Sequence, residues 1–367
     1  MTAASTMPAG VPSGLAWWRS RTAAVIVVGA LLLLLATVAV IATAIGAAGI
    51  PVRRLPAALG LLAGDADAAT LARDQLVLWS IRLPRIALAA MIGGLLAASG
   101  TVMQGLFRNP LADPALFGVS SGGALAAAAT IVIGDRILHA EGGTNMPFEV
   151  LPLAAFVGSL SATLILYRIA TRENRTSIAT FLLGGLAIAA VANAGIGLLV
   201  FMADDRQLRD VTFWMLGSIG GATWSKVTII APFAAAMLLA IPFMAHGLDR
   251  LVLGEAEAFH MGVEVERLKR YSIVLVSAMT GAAVSFAGVI GFVGIIVPHL
   301  LRLLIGPAHR LLLPTSVCLG AILLLVADTF ARTLAAPAEV PIGILTALVG
   351  APFFLVVLMR QRSLVGL

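Results

Sequence analysis

Apolar stretches of about 20 residues without a charge recur along most of the chain, divided by short polar turns, and each is long enough to cross a bilayer as a helix. The pattern predicts ten spans, at 22–49, 86–106, 115–134, 150–167, 178–203, 227–245, 271–290, 291–301, 311–327 and 340–359. The expected fold class is therefore all-α: a polytopic membrane protein with one transmembrane domain over 22–359. Short cytoplasmic tails are expected at 1–21 and 360–367. Residues 271–301 carry no Asp, Glu, Lys or Arg. They read either as one long helix or as two short ones, and the glycines of GVIGFVG together with Pro298 favour a break.

The turn FRNPLADPALFGVSSGG, 107–123, interrupts two strongly apolar runs. Pro110 and Pro114 stop helices there, and Asn109 and Asp113 are suited to capping the helix that follows. Composition agrees with the pattern. With 60% hydrophobic and 11% charged residues and a mean hydropathy of +1.03, the chain has more apolar side chains than a soluble domain of 367 residues could bury. Its one cysteine, Cys318, permits no intramolecular disulfide. At the N-terminus, Arg19 and Arg21 before an apolar run imitate a secretory signal, but the run outlasts a signal's apolar core and reads as the first span.

The net charge of +6 follows from basic residues flanking spans, not from a nucleic-acid surface. With both termini inside, fourteen of the 24 Arg and Lys fall on inner segments. Five of the outer ones lie between Arg53 and Arg85, an excess that asks for its own explanation. Small residues cluster within spans at 92–100, 184–197 and 281–288. They serve either close helix packing or the lining of a solute path.

Several chemistries are missing. No phosphate-binding G-x-x-x-x-G-K-[ST] loop precedes Lys226 or Lys269, so ATP is not bound by this chain. The five histidines are scattered, which argues against a resident haem, iron–sulfur or other metal centre, and no catalytic set or cofactor is expected. Asp328 is the one carboxylate near a span, with Arg332 four residues on as its helical partner. A proton-driven carrier would need more ionisable groups at mid-membrane, so the driving force belongs to another subunit. The segment 246–270 is amphipathic and carries nine charged residues, with glycines at 247, 254 and 262. It reads as two short cytoplasmic helices meeting at Gly254 and Glu255.

RLPR at 82–85, SGTVMQGLFRNPLADPALFGVSSG at 99–122, VLGEAEAFHMG at 252–262, GFVGIIVPHLLR at 291–302 and EVPIGILTALVGAPFF at 339–354 occur in the order and spacing of the FecCD-type permeases. The chain resembles these membrane subunits of ABC importers for iron–siderophores, haem and vitamin B12. The resemblance implies a homodimer in the bacterial inner membrane, two ATPase subunits beneath it and a periplasmic binding protein above. It implies that Arg82, Arg85 and Arg332 receive carboxylates of the binding protein, although helix-end anchoring and the Asp328 pair compete as readings. It places Gly254, Glu255, Ala258 and Gly262 in the helices that couple to the ATPase. It puts Asn109 and Leu111 in the cytoplasmic gate, with Thr176 and Ser177 in NRTSIAT as the second element, and leaves capping as the alternative for Asn109.

For substrate, residues 204–224 resemble the haem-importing branch. Arg206 and Arg209 suit the two propionates of haem, and Met202 and Trp214, with Phe213 and Met215, suit its ring face. Snorkelling arginines beside an interfacial aromatic are the plainer alternative. A ferric siderophore or vitamin B12 is the other cargo that the resemblance allows.

Overall fold

The computed structural model describes residues 21–46, 50–61, 67–134, 136–137, 150–173 and 175–365. Outside them lie the tail to residue 20 and part of the expected outer loop at 135–149. The chain is a helical bundle, as lipid demands, because each helix satisfies its own backbone hydrogen bonds. Its membrane helices are α1 (Arg21–Ala44), α2 (Ala68–Phe107), α3 (Val119–Gly134), α4 (Val150–Ala170) and α5 (Ile178–Met202). After α6 (Asp205–Leu216) come α7 (Trp224–Leu251), α8 (Glu255–His260), α9 (Val265–Ala287), α10 (Val293–Ile305), α11 (His309–Ala331) and α12 (Ile342–Val365). Among the described residues eight helices are long and apolar enough to cross a membrane, while α3 and α10 are shorter apolar helices. Those ten correspond one to one with the expected spans.

Three expectations about the turns are adjusted. The break in 271–301 falls at 288–292, with Gly288 and Phe292 both at positive φ, whereas Pro298 sits inside α10. The segment 246–270 holds one separate helix, α8, and not two. Its flanks are the last turn of α7 and the first of α9, because the apolar stripe of each membrane helix continues past the bilayer. α12 runs to Val365, into the expected tail from 360.

The core is centred on α2, which packs against α11, α7, α9 and α10. Small residues set the contact distances. A Cβ on Gly93 would stand 2.2 Å from the carbonyl oxygen of Gly320 in α11, and one on Gly100 would stand 2.0 Å from that of Gly294 in α10. With lipid as apolar as the side chains, this close backbone approach supplies the packing that the hydrophobic effect does not. The stretch 92–100 is therefore a packing surface.

α6 is a short helix between spans that the span pattern does not reveal. Asp204 accepts from the Gln207 amide at 2.8 Å while the Gln207 side chain accepts from Asp204 N–H, a complete capping box. Its C-terminal end is stitched to the end of α9 and to the start of α12: Ser218 N–H donates to Ala287 O at 2.8 Å and Ile342 N–H to Gly217 O at 2.9 Å.

Candidate functional site

The residues singled out by sequence gather at the two ends of the bundle. At the end carrying the N-terminal part of α2, the helix widens by one residue over Leu78–Arg82, just ahead of Pro84, which has no N–H to donate. Arg82, Arg85 and Arg332 lie here and are only 4%, 8% and 8% exposed. Arg85 is held by two carboxylates. Its Nε donates to Asp328 at 2.9 Å, and its Nη1 and Nη2 donate to the two oxygens of Glu339 at 2.6 and 3.0 Å. Arg332 faces Asp328 at 3.6 Å, one turn away on α11, and donates to Ala42 O of α1 at 2.8 Å. Arg82 donates to Thr43 O of the same helix.

The three arginines that the resemblance assigns to docking thus form a buried joint between α1, α2, α11 and the approach to α12. The group of this joint that solvent reaches is Glu339, whose side chain is 42% exposed. The Arg85 guanidinium holds the Glu339 carboxyl below the usual glutamate range. Stability from that pair is therefore present at neutral pH and lost only as pH falls through the lowered value. The Asp328–Arg332 pair on one helical face is present, as its spacing predicts.

At the opposite end, Asn109 and Leu111 form the turn after α2. Asn109 Oδ1 accepts from Leu111 N–H at 2.9 Å, bracing the turn and capping no helix, while Asp113 caps the short Pro114–Phe117 turn by accepting from Ala115 N–H at 2.7 Å. Thr176 and Ser177 lie on the neighbouring connection, where β1 (Thr171–Arg172) and β2 (Arg175–Thr176) form a small antiparallel hairpin. Ser177 caps α5 by accepting from Thr180 N–H at 3.3 Å. Phe107 and Phe181, with ring centroids 5.9 Å apart, join the two turns.

Gly254 opens α8 at φ +132°, a conformation L side chains rarely adopt, and a Cβ there would meet the Glu257 carboxylate. Ala258 is fully buried and seats α8 on the bundle, leaving Glu257 and Phe259 outward; Gly262 ends the turn at φ +83°. Glu255 is not free at the tip. It accepts from Lys269 Nζ at 2.8 Å, and Lys269 is 3% exposed and also meets Glu266 at 3.0 Å. Lys269 stands one turn after Glu266 in the charged run ERLKR, which by local pattern alone looks the same as a solvated helix end.

Of the expected substrate residues, Met202, Arg206 and Arg209 are exposed near the α5–α6 junction. Trp214 is half-buried and packs on the cluster around Leu199 and Val211. A cavity of about 640 Å³ lies between α6, the 288–292 break and α12, lined by Met215, Leu216, Val289, Phe292, Ile344, Leu348 and small residues, with no charged side chain.

Among the described residues, ten apolar helices packed about a central one of their number, with charged joints at the two ends, define a multi-pass membrane protein. The chain belongs to the FecCD transport family, whose profile matches residues 30–360, and is a permease of the ABC importer class. It is 44% identical over 292 residues to the hemin transport system permease protein HmuU of Yersinia pestis, covering 77% of this chain and 83% of that protein. It is likewise 44% identical over 289 residues to the cobalamin import system permease protein BtuC of Halobacterium salinarum, covering 79% and 74%. Among solved structures it resembles an inward-facing ABC transporter of metal-chelate type, with a TM-score of 0.77 and 31% identity over 91% of this chain and 98% of that one.

Proposed function

We propose that this chain is the hemin-importing permease of a bacterial inner-membrane ABC transporter, working as a homodimer above two ATPase subunits and below a periplasmic binding protein. The observation that carries hemin over a more polar chelate is the uncharged wall of the cavity beside α6 and α12. Haem is a flat, mostly apolar disc, so such a wall lets it slide without ligating its iron, while Arg206 and Arg209 meet its propionates only at the entrance. A path that held the metal tightly would trap its cargo.

In this reading the Arg82–Arg85–Arg332 joint receives carboxylates of the binding protein, which exchange with the accessible Glu339. α8, through Glu255, Ala258 and its flanking Gly254 and Gly262, follows the ATPase, and the Asn109–Leu111 and Thr176–Ser177 turns close the inner end. The test is accumulation by vesicles holding permease, ATPase and a hemin-loaded binding protein. Hemin should accumulate only with ATP, and Arg209→Ala should slow its uptake more than it lowers ATP hydrolysis. Accumulation of cobalamin or a ferric siderophore without hemin would overturn the substrate and leave the transport class standing. In the same vesicles Glu255→Ala should abolish uptake although the permease still inserts and dimerises; uptake equal to wild type removes the coupling role of α8.

A further inference from the structure

We propose that Lys269 is the positioning residue through which α8 moves the Thr171–Thr176 hairpin, so that ATPase motion reaches the inner gate by a charged link at the first turns of α9. The inference rests on the transport reading above. Its basis is a continuous set of contacts between three elements. Lys269 projects from the first turns of α9, and its ammonium offers three donors. One meets Glu255 of α8 at 2.8 Å, one Glu266 of its own helix at 3.0 Å, and the third points to the Thr176 carbonyl at 3.5 Å. The second oxygen of Glu266 accepts the Thr176 amide at 3.1 Å. Both backbone groups of Thr176 are thus bound to the Lys269–Glu266 pair, and Thr176 Oγ1 lies 3.0 Å from Thr171 Oγ1 across the hairpin.

Burial of its lysine and of Thr176 stiffens this link, whose two carboxylates stay partly exposed. Lys269 and Thr176 are 3% and 7% exposed, so water offers little competition for their hydrogen bonds, and a displaced Glu255 would leave an ammonium without one of its counter-charges. The cheaper response to movement of α8 is for Lys269 and the hairpin to follow. The hairpin joins the end of α4 to the cap of α5 at Ser177, so its displacement re-aims both helices at the inner end. Van der Waals contact of Ala258 with the bundle transmits pressure on α8, whereas the Lys269 link transmits both push and pull.

The test uses the assembled permease–ATPase–binding-protein complex in vesicles. Lys269→Gln should lower ATP-driven uptake so that the ATP consumed per molecule moved rises about tenfold, and Lys269→Arg should restore most of the ratio. Because Lys269→Gln strands two carboxylates, Lys269→Met combined with Glu266→Gln provides a second variant, which keeps Glu255 for the ATPase and leaves it as the one unpaired carboxylate, 40% exposed and open to water; it should be equally uncoupled. Spin labels at Arg172→Cys and His260→Cys, in a Cys318→Ser background that retains uptake, read the link directly. Their separation should be the same with and without ATP in the parent and should change with ATP in the Lys269→Gln variant. A parent distance that shifts with ATP, a variant distance that does not, or an unchanged ATP-to-uptake ratio in either variant overturns the proposal. Absence of ATP-driven uptake in the unsubstituted complex overturns the transport reading and this one with it.

Discussion

Gly93→Val is expected to leave little folded permease. A Cβ at 93 would stand 2.2 Å from the Gly320 carbonyl oxygen and 2.8 Å from Leu324 Cβ, and a helix backbone cannot turn aside as a side-chain tip can. α2 and α11 would have to separate along the most extensive helix contact in the bundle. Overpacking of a well-packed core costs about 1–3 kcal/mol, and contact with backbone places this site at or above the upper end. Gly29→Val is the matched control, since a Cβ on Gly29 has no neighbouring atom within 4 Å and the residue is exposed on α1. Thermal unfolding in detergent should separate the two by many degrees; equal midpoints and yields would mean that the α2–α11 seam is not closed by these glycines.

Arg85→Gln should destabilise the permease by itself, in the absence of any partner protein. It would leave Asp328, 1% exposed, facing Arg332 alone at 3.6 Å, and would strand Glu339 beside it. Removing one member of a buried pair costs about 3–5 kcal/mol, much of it the desolvation of the charge left behind. Replacing the whole set, Arg85→Met with Asp328→Asn and Glu339→Gln, should recover most of that loss, because no uncompensated charge remains. The effect should be nearly independent of ionic strength, as exposed pairs are screened and buried ones are not. If Arg85→Gln unfolds at the wild-type temperature and loses only salt-dependent association with the binding protein, the arginine serves docking and the joint is incidental. A joint that supports the fold and also exchanges carboxylates with a partner predicts both losses together.

The ten spans were legible because hydrocarbon imposes its demand on every stretch that crosses it: about 20 residues without charge, whatever their neighbours. The break at 288–292 was legible in its glycines, but Pro298 pointed too far along, since a proline within a membrane helix is tolerated where neighbours compensate. The capping box of α6 was present as Asp204 and Gln207, although a reading tuned to apolar length passes over a short polar helix.

The sequence by itself determined that the chain crosses the membrane many times, that it carries no ATP loop, and which polar residues sit at which end. Only the tertiary structure decided what those residues do to one another. Arg85, Asp328 and Glu339 are separated by up to 254 positions, and so is the contact of Glu255, Lys269 and Thr176 hidden from any local pattern. Arginine before an apolar run looks the same whether it will face water or a carboxylate from a distant helix. A membrane helix shows its span in its own composition, but the partner of a charge is chosen by helix packing, which for α2 turns on whether two glycines let the backbones touch.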